Sequence, residues 1–456
     1  MTTSTRGDFR CKLPYELVET VLNNSDISTF RSCSLVCRSW LPRCRSQLFA
    51  NFEVKPERCV QLATVMSSDN CTIPGYIRIL TFNIDTQLVS LPGSKGGDGS
   101  GDENLRYIDF IYMICRRLKD RVQMLRKLRI ISYHSNLLSD FNSAPFLKSM
   151  VNLASEFSVS FGHVIELDLQ LAREEPRIFI PFICSFTCVE SLNMNSGFFY
   201  SQDLNHILLT SYHLPPSLQI LSLRGGYGGF NVDGLEHFYR WLRAQCPIQV
   251  SQLSIFRVSV DGDEISPDPD IGPLLARCQE LRFLHIGMDS WYVVETDTVF
   301  YDLSAPRRLE RLVISARNLV QSNIDSALLT IVWKMINTLT SPCLRCITLN
   351  VSGSGFRVLK GEWNALDTLL ASSKFASVTV EPVVPFSDLT LANGTEDQDL
   401  LITREGFTRC DEQGRLSVVQ APFVMRTRIM RDEGGDGEDF PDEEVIDWVC
   451  EGLWRV

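Results

Sequence analysis

Long apolar runs, clustered histidines and an excess of basic residues are all missing from this sequence of 456 residues. No apolar run reaches the roughly 18 residues that a membrane-spanning helix needs, so we expect no membrane span. The segment Met1–Cys11 is polar and lacks the apolar core of a secretory signal peptide. Because the net charge is −11 and nucleic acids and anionic membranes attract concentrated positive charge, we expect neither as a partner.

Motifs for catalysis and for metal binding are also lacking. The six histidines occur singly, without an H-E-x-x-H motif or a Cys/His cluster. The sequence contains no G-x-S-x-G nucleophile elbow, no P-loop and no G-x-G-x-x-G dinucleotide motif. Cys343 and Cys346 form one C-x-x-C pair, but no second pair completes the four ligands of a zinc site. We therefore expect a protein that is not itself an enzyme and that has no cofactor and no metal.

Negative charge is concentrated at the C-terminal end of the sequence. Between Asp432 and Val456 there are ten acidic residues and one basic residue, Arg455, so the preceding part is nearly neutral. The fifteen cysteines are odd in number and scattered, which in a protein without a signal peptide indicates reduced thiols. The compartment that we expect is the cytosol or the nucleus.

An apolar triplet of the form L-x-x-L-x-L recurs ten times, at an uneven period of about 33 residues. The position between the last two apolar members is polar in nine of the ten windows. Such alternation predicts a strand with one buried and one exposed face. The windows are Ile77–Phe82, Leu125–Ile130, Val164–Leu169, Val189–Met194, Leu218–Leu223, Val250–Ile255, Leu281–Ile286, Leu309–Ile314, Leu344–Leu349 and Phe375–Val380.

Helix-length patterns lie between these strands, at Tyr107–Leu118, Leu235–Ala244, Ala327–Leu339 and Trp363–Leu370. The repeated unit of strand and helix resembles leucine-rich repeats, which form a solenoid with parallel strands inside and helices outside. The asparagine that this family has three residues after the last leucine is absent, so we expect an irregular coil. A doubly wound α/β sheet is the alternative, although its strands would be continuously apolar.

The most specific motif spans Leu13–Phe49 and reads LPYELVETVLNNSDISTFRSCSLVCRSWLPRCRSQLF. Apolar residues at helical spacing predict three short helices, the second capped by Asp26 or Ser28 and the third beginning at Ser39 or Trp40. The segment resembles the F-box, with its L-P, E-L and L-V-C-R-x-W elements in register, and is most similar to F-box proteins of mushroom-forming (basidiomycete) fungi. The matching residues are Leu13-Pro14, Glu16-Leu17, Val21-Leu22 and Leu35–Trp40.

The resemblance implies a partner, the Skp adaptor, which joins F-box proteins to a cullin–RING ubiquitin ligase. A three-helix unit of this size also has too little interior for all of its apolar residues. The surplus must face a partner or, as the alternative, the following domain. The predicted adaptor-binding residues are Leu13, Pro14, Leu17, Val21, Leu35, Val36 and Trp40.

Two loops interrupt the repeats, and a hairpin and a helix are predicted to follow them. We expect Gly93–Asn104 to be a disordered loop and Asp261–Pro273 a solvated acidic loop, because both are rich in Gly, Pro or charge. Leu400–Thr408 and Leu416–Val419 are predicted to form a hairpin that caps the last repeat. Apolar residues on one face predict a helix within Asp442–Trp454.

The predicted fold class is α/β, with an F-box in residues 1–55, a connecting helix or linker in 56–76, the solenoid in 77–385 and a cap with an acidic tail in 386–456. The function that follows is substrate recognition in an SCF-type ubiquitin ligase, with a scaffold or regulatory protein that delivers no client as the alternative. A client would bind the exposed polar column of the strands. The candidate client-binding residues are Arg129, Asp168, Asn193, Arg224, Phe256 and His285.

Overall fold

The computed structural model divides the chain into two compact units. Unit 1 is Met1–Gly226 with Asn231–Gln245, and unit 2 is Tyr227–Phe230 with Cys246–Val456. The residues that the structure describes are 17, 20, 25–36, 38–55, 58–68, 70–85, 100–133, 144–171, 176–196, 212–225, 238, 241–244, 248–258, 271–289, 301–317, 325–351, 363–386, 403–422, 425–429 and 444–448.

Two of the three predicted N-terminal helices are described in full, α1 (Ile27–Val36) and α2 (Leu41–Leu48). Asp26 caps α1, because its carboxylate accepts the backbone N–H of Thr29 at 2.8 Å and the hydroxyl of Ser28 at 3.0 Å. Of the first predicted helix, residues 17 and 20 are helical, and the remainder lies outside the described residues. The core of this segment consists of Phe30 and Cys44, against which Cys33, Trp40 and Leu48 pack.

Unit 1 contains a six-stranded parallel sheet whose strands follow one another in chain order. The middle leucines of the predicted windows are aligned across it, as in the pairing of Leu128 with Leu167. The strands are β1 (Asn51–Val54), β2 (Ile79–Asp85), β3 (Lys127–Tyr133), β4 (Glu166–Leu171), β5 (Ser191–Ser196) and β6 (Ile220–Gly225), and the helices between them are α3 (Cys59–Met66), α4 (Ser100–Leu118), α5 (Ala144–Phe161) and α6 (Pro176–Cys184).

Unit 2 has the same construction, again with parallel neighbours in chain order. Its strands are β7 (Gln252–Val258), β8 (Phe283–Asp289), β9 (Arg311–Arg317), β10 (Cys346–Val351), β11 (Thr379–Phe386) and β12 (Val419–Pro422), and its helices are α7 (Ile271–Arg277), α8 (Asp325–Thr338), α9 (Trp363–Leu370) and α10 (Thr408–Glu412). The predicted parallel α/β class is therefore confirmed. In each unit the strand order does not reverse, whereas a doubly wound sheet has a switch point.

A recurring backbone contact joins successive repeats within each unit. The carbonyl oxygen of the residue just before a strand accepts two consecutive N–H groups at the start of the next strand. Arg78 accepts the N–H groups of Arg126 and Lys127 at 2.9 and 3.1 Å. We call the residue that carries this carbonyl the pre-strand position; Ser251, Arg282 and Glu310 occupy it in unit 2.

Aromatic rings connect the helices to the sheet in the core of unit 1. Phe82 of β2 contacts Phe157 of α5 at 4.9 Å between ring centroids, and Phe157 contacts Phe182 of α6 at 6.1 Å. Phe182 in turn contacts Phe186 at 5.0 Å. All four side chains are buried, so one apolar layer runs from strand to helix across neighbouring repeats, as expected when a repeat has no closed core of its own.

The repeats begin earlier and in one place lie in a different register than the sequence predicts. Strand β1 pairs with β2, so the sheet starts at Asn51, ahead of the predicted start at residue 77. In the tenth window the sheet aligns Ile347 with Val380, whereas the window predicted Val378 in that column. Val378 precedes the strand and is buried there.

Both predictions for the C-terminal segment are wrong. Residues 403–406 are helical and α10 follows, so the expected hairpin does not form; instead β12 adds to the sheet parallel to β11. Within the expected helix, Glu444–Trp448 is strand β14, which pairs antiparallel with β13 (Met425–Ile429). The pairing sets Arg426 opposite Asp447, an opposite-charge cross-strand position.

Both predicted loops end in helices, so the prediction of a loop is wrong for their last residues. Residues 100–104 belong to α4 and residues 271–273 to α7, while the remaining parts of the two loops lie outside the described residues.

Among the described helices, no segment is both long and apolar enough to cross a membrane.

Candidate functional site

The N-terminal helices present apolar side chains on their surface. Leu17 is 54% exposed, Ile27 is 64% exposed and Leu35 is 87% exposed. Ile27, Arg31 and Leu35 are spaced by four residues in α1, so they lie along one side of this helix. Arg31 is exposed as well. This side of α1, which we call the α1 face, is an apolar stripe with one cation between its two apolar residues.

The structure places the described adaptor-binding residues in different environments. Leu17 and Leu35 are at the surface, whereas Trp40 is half-buried and packs against the cluster of Phe30 and Cys44. Val36 is the last residue of α1, and Leu13, Pro14 and Val21 lie outside the described residues. Ile27 was missed by the sequence analysis, although its spacing of eight residues from Leu35 on a helix would have placed it on the same face.

Three of the predicted client-binding residues form one polar cluster on the sheet of unit 1. Asp168 accepts hydrogen bonds from Nε of Arg129 at 2.8 Å and from Nδ2 of Asn193 at 3.1 Å. Nζ of Lys127 lies 3.5 Å from the same carboxylate. The three residues Arg129, Asp168 and Asn193 are paired across β3, β4 and β5, so the structure brings them together as predicted.

Their exposure, however, differs from the prediction. Arg129 keeps 36% of its side chain exposed, but the side chain of Asp168 keeps only 3%. Parallel neighbours lie about 4.8 Å apart, so the long side chains of Lys127 and Arg129 cover the shorter carboxylate. The surface that a partner would meet is therefore the cationic rim of the cluster, while the carboxylate holds that rim in place.

In unit 2 most of the described residues of the predicted exposed column are buried, and for them the prediction is wrong. Ser254, His285 and Thr348 are 4%, 6% and 0% exposed. A ring nitrogen of His285 shares a hydrogen bond of 2.7 Å with the hydroxyl of Ser315. His285 therefore contributes to the interior of unit 2, because its polar group is satisfied by the neighbouring strand.

Two further predicted residues are described only by their backbone. Arg224 lies in β6 opposite Asn195, and Phe256 lies in β7 opposite Gly287. Arg224 belongs to unit 1, whereas Phe256 and His285 belong to unit 2. The six predicted client-binding residues are thus divided between the two units, and the cluster around Asp168 is the part that the structure assembles.

The C-x-x-C pair spans a turn and the start of a strand. Cys343 is exposed in the turn, and Cys346 opens β10. Burial raises the pKa of the Cys346 thiol to about 11. A thiol with so high a pKa is protonated at neutral pH and is therefore a poor nucleophile.

Comparison with protein-family models and with curated proteins finds no match to this chain. The resemblance to the F-box therefore rests on the residues from Leu13 to Phe49 themselves.

Proposed function

We propose that this chain is the substrate-recognition subunit of an SCF-type cullin–RING ubiquitin ligase. In this proposal the N-terminal helices bind the Skp adaptor, the repeats bind a client protein in the cytosol or nucleus, and the chemistry of ubiquitin transfer belongs to other subunits. The observation that carries the proposal is the exposure of Leu35, the leucine that opens the L-V-C-R-x-W element. Burying such a side chain in an interface contributes about 1.5–3 kcal/mol.

The size of the N-terminal segment supports the same proposal. In the described part of this segment the buried cluster consists of Phe30 and Cys44 with three half-buried neighbours. A unit of only about 40 residues also has too little interior to bury all of its apolar side chains. An adaptor that covered Leu17, Ile27 and Leu35 would supply the missing apolar contacts.

The repeats suit the client-binding half of the proposal. We infer that the strand and helix repeats form an irregular leucine-rich-repeat-like solenoid, with the strands on the inner side. The polar cluster of Arg129, Asp168 and Asn193 would then lie on the inner surface, where its hydrogen bonds hold the partly exposed side chain of Arg129 in position. Rigid polar groups of this kind favour specific protein contacts.

Adaptor binding is tested by pull-down of the full chain with the Skp adaptor and cullin. Leu35→Asp should weaken adaptor capture at least about tenfold, because it removes a surface anchor and places a charge in an apolar interface. The matched control is Val159→Asp on α5, since Val159 is also exposed, at 58%, and lies outside the N-terminal helices. A wild-type chain that captures no adaptor, or equal capture by both variants, would contradict the proposal.

A scaffold or regulatory protein that delivers no client is the alternative. It predicts adaptor capture without any protein whose abundance rises when the cullin ligase is inhibited. Quantitative proteomics of cells with and without the chain, each with and without ligase inhibition, separates the two functions.

A further inference from the structure

A short stretch of unit 1 concentrates positive charge in a chain that is acidic overall. Residues 116–129 contain seven cations and one acid, Asp120. Some of these cations have structural partners: the guanidinium of Arg121 donates to the carbonyl of Met66 at 2.7 Å, Arg116 pairs with Glu156, and Lys127 and Arg129 pair with Asp168. The remaining cations are Arg117, Lys119 and Arg126.

Arg126 lies beside another arginine. Arg78 and Arg126 occupy successive pre-strand positions, joined by the hydrogen bond of 2.9 Å from the N–H of Arg126 to the carbonyl of Arg78. Both residues are exposed. In the part of unit 1 that the structure describes, neither makes an ion pair with a carboxylate. Two positive charges, those of Arg78 and Arg126, therefore lie at the same position of two neighbouring repeats.

Unit 2 provides an internal comparison at the same repeat position. There the successive pre-strand residues are Arg282 and Glu310, joined by the same backbone contact, and their side chains form an ion pair at 3.9 Å. Adjacent opposite charges stabilise a repeat slightly, whereas adjacent like charges destabilise it by a similar amount. The repeat framework thus accepts a neutralised pair at this position, and unit 1 instead keeps an uncompensated pair of cations.

Arg117 and Lys119 extend this charge from the end of α4. The chain turns tightly after the helix, with hydrogen bonds from the N–H of Arg121 to the carbonyl of Leu118 and from Leu125 to Val122. These turns lead directly to Arg126. Met124, which is 48% exposed, lies within them, so an apolar side chain accompanies the four cations.

We propose that Arg78, Arg117, Lys119 and Arg126, here called the cationic edge, bind an acidic segment of a partner protein. That this partner is the ubiquitination client rests on the proposed function, whereas the binding of an acidic segment does not. A polypeptide is favoured over nucleic acid because the edge is short and includes the exposed apolar side chain of Met124, whereas nucleic acid binding needs a longer basic stripe.

The test measures binding of a fluorescently labelled oligo-glutamate peptide to the full chain by anisotropy, at low and at physiological salt. Wild type should bind the peptide, more weakly as salt rises. Arg78→Glu with Arg126→Glu should weaken binding at least about tenfold, because two attractions become repulsions. The matched control is Arg307→Glu with Arg345→Glu in unit 2, which reverses two exposed arginines and should leave the affinity unchanged.

A single variant separates binding from stability. Arg126→Glu recreates in unit 1 the pair that Arg282 and Glu310 form in unit 2, so its melting temperature should equal or exceed that of wild type while peptide affinity falls.

The proposal is overturned if wild type does not bind the peptide at low salt, if both double variants lose affinity equally, or if oligo-dT binds the edge more tightly than the peptide. Adaptor pull-down of the same variants should be unchanged, so failure of this proposal is distinguishable from failure of the proposed function.

Discussion

Two buried carboxylates in this protein are stabilised by different kinds of donor. Asp168 of unit 1 and Asp367 of unit 2 are each 2% exposed. Asp168 is held by the side chains of Arg129, Lys127 and Asn193. Asp367 instead accepts the backbone N–H groups of Arg409 and Cys410 at 2.9 and 3.1 Å, at the start of α10. Asp168 therefore fixes the positions of side chains on the sheet, whereas Asp367 anchors the start of α10.

At the residue scale we predict that Asp168→Asn lowers the free energy of unfolding of unit 1 by about 1–2 kcal/mol. The amide keeps the shape but removes the charge that offsets Arg129 and Lys127. Urea denaturation monitored by circular dichroism measures the change. The control is Glu166→Gln on the same strand, because Glu166 is 44% exposed and lies 3.8 Å from Lys127, so its loss should cost less than about 0.5 kcal/mol. Equal effects of the two substitutions would contradict the structural role of Asp168.

At the scale of elements, arginine side chains close the ends of helices in both units. Arg121 donates to the carbonyl of Met66, the last residue of α3, and to that of Ser68 at 3.3 Å. Arg415 donates to the carbonyl of Leu370, the last residue of α9, at 2.8 Å, and to that of Val378 at 3.2 Å. Helix C-termini leave carbonyl groups without intrahelical partners and favour a cation. One guanidinium therefore satisfies several such groups and joins two successive repeats.

We predict that Arg415→Ala destabilises the end of unit 2 by about 2 kcal/mol, since several carbonyls lose a charged donor together. Amide hydrogen exchange should show faster exchange in α9, α10 and β12. Arg404→Ala is the matched control, because among the described residues its side chain makes only an exposed ion pair, with Asp411 at 3.7 Å, and its loss should change protection little. Exchange that is accelerated equally by both substitutions would show that the bonds of Arg415 do not hold these repeats together.

At the scale of the whole molecule, stability comes from the stacking of repeats within each unit. The aligned leucines of unit 1, such as Leu192 and Leu221, are 0% and 1% exposed, and each packs in a core that neighbouring strands complete. Loss of one repeat therefore removes the apolar contacts of the next.

We predict that Leu221→Asp unfolds unit 1, because an unpaired carboxylate in this core costs more than a unit of this size can offset. Loss of amide protection in β4, β5 and β6 measures the effect. The neighbouring substitution Ser222→Asp is the control: Ser222 is half-buried on the opposite face, so the same charge should be tolerated there. Unit 1 that remained folded with Asp at position 221 would contradict the observed strand register.

The sequence by itself determined strands β2 to β11 and some of the helices, because apolar periodicity is a local property of the chain, whereas β1, α5 and α6 were not predicted. Nine of the ten windows coincide with strands in the predicted register, and α9 coincides with the predicted Trp363–Leu370. The F-box resemblance likewise depends on neighbouring residues and was visible without a structure. The capping of α1 by Asp26 was one of two options that local spacing left open.

The tertiary structure decided what depends on residues far apart in the chain. A strand at Val419–Pro422 can pair in either direction, and the helical crossover through α10 makes it parallel to β11. The burial of His285 depends on Ser315 of the next repeat, and alternation within one strand carries no information about such a neighbour. Arg78 and Arg126 likewise become neighbours only when their repeats stack. Periodicity in the sequence assigns each side chain to one face of its strand or helix, but the packing of repeats decides which residues of different repeats come into contact.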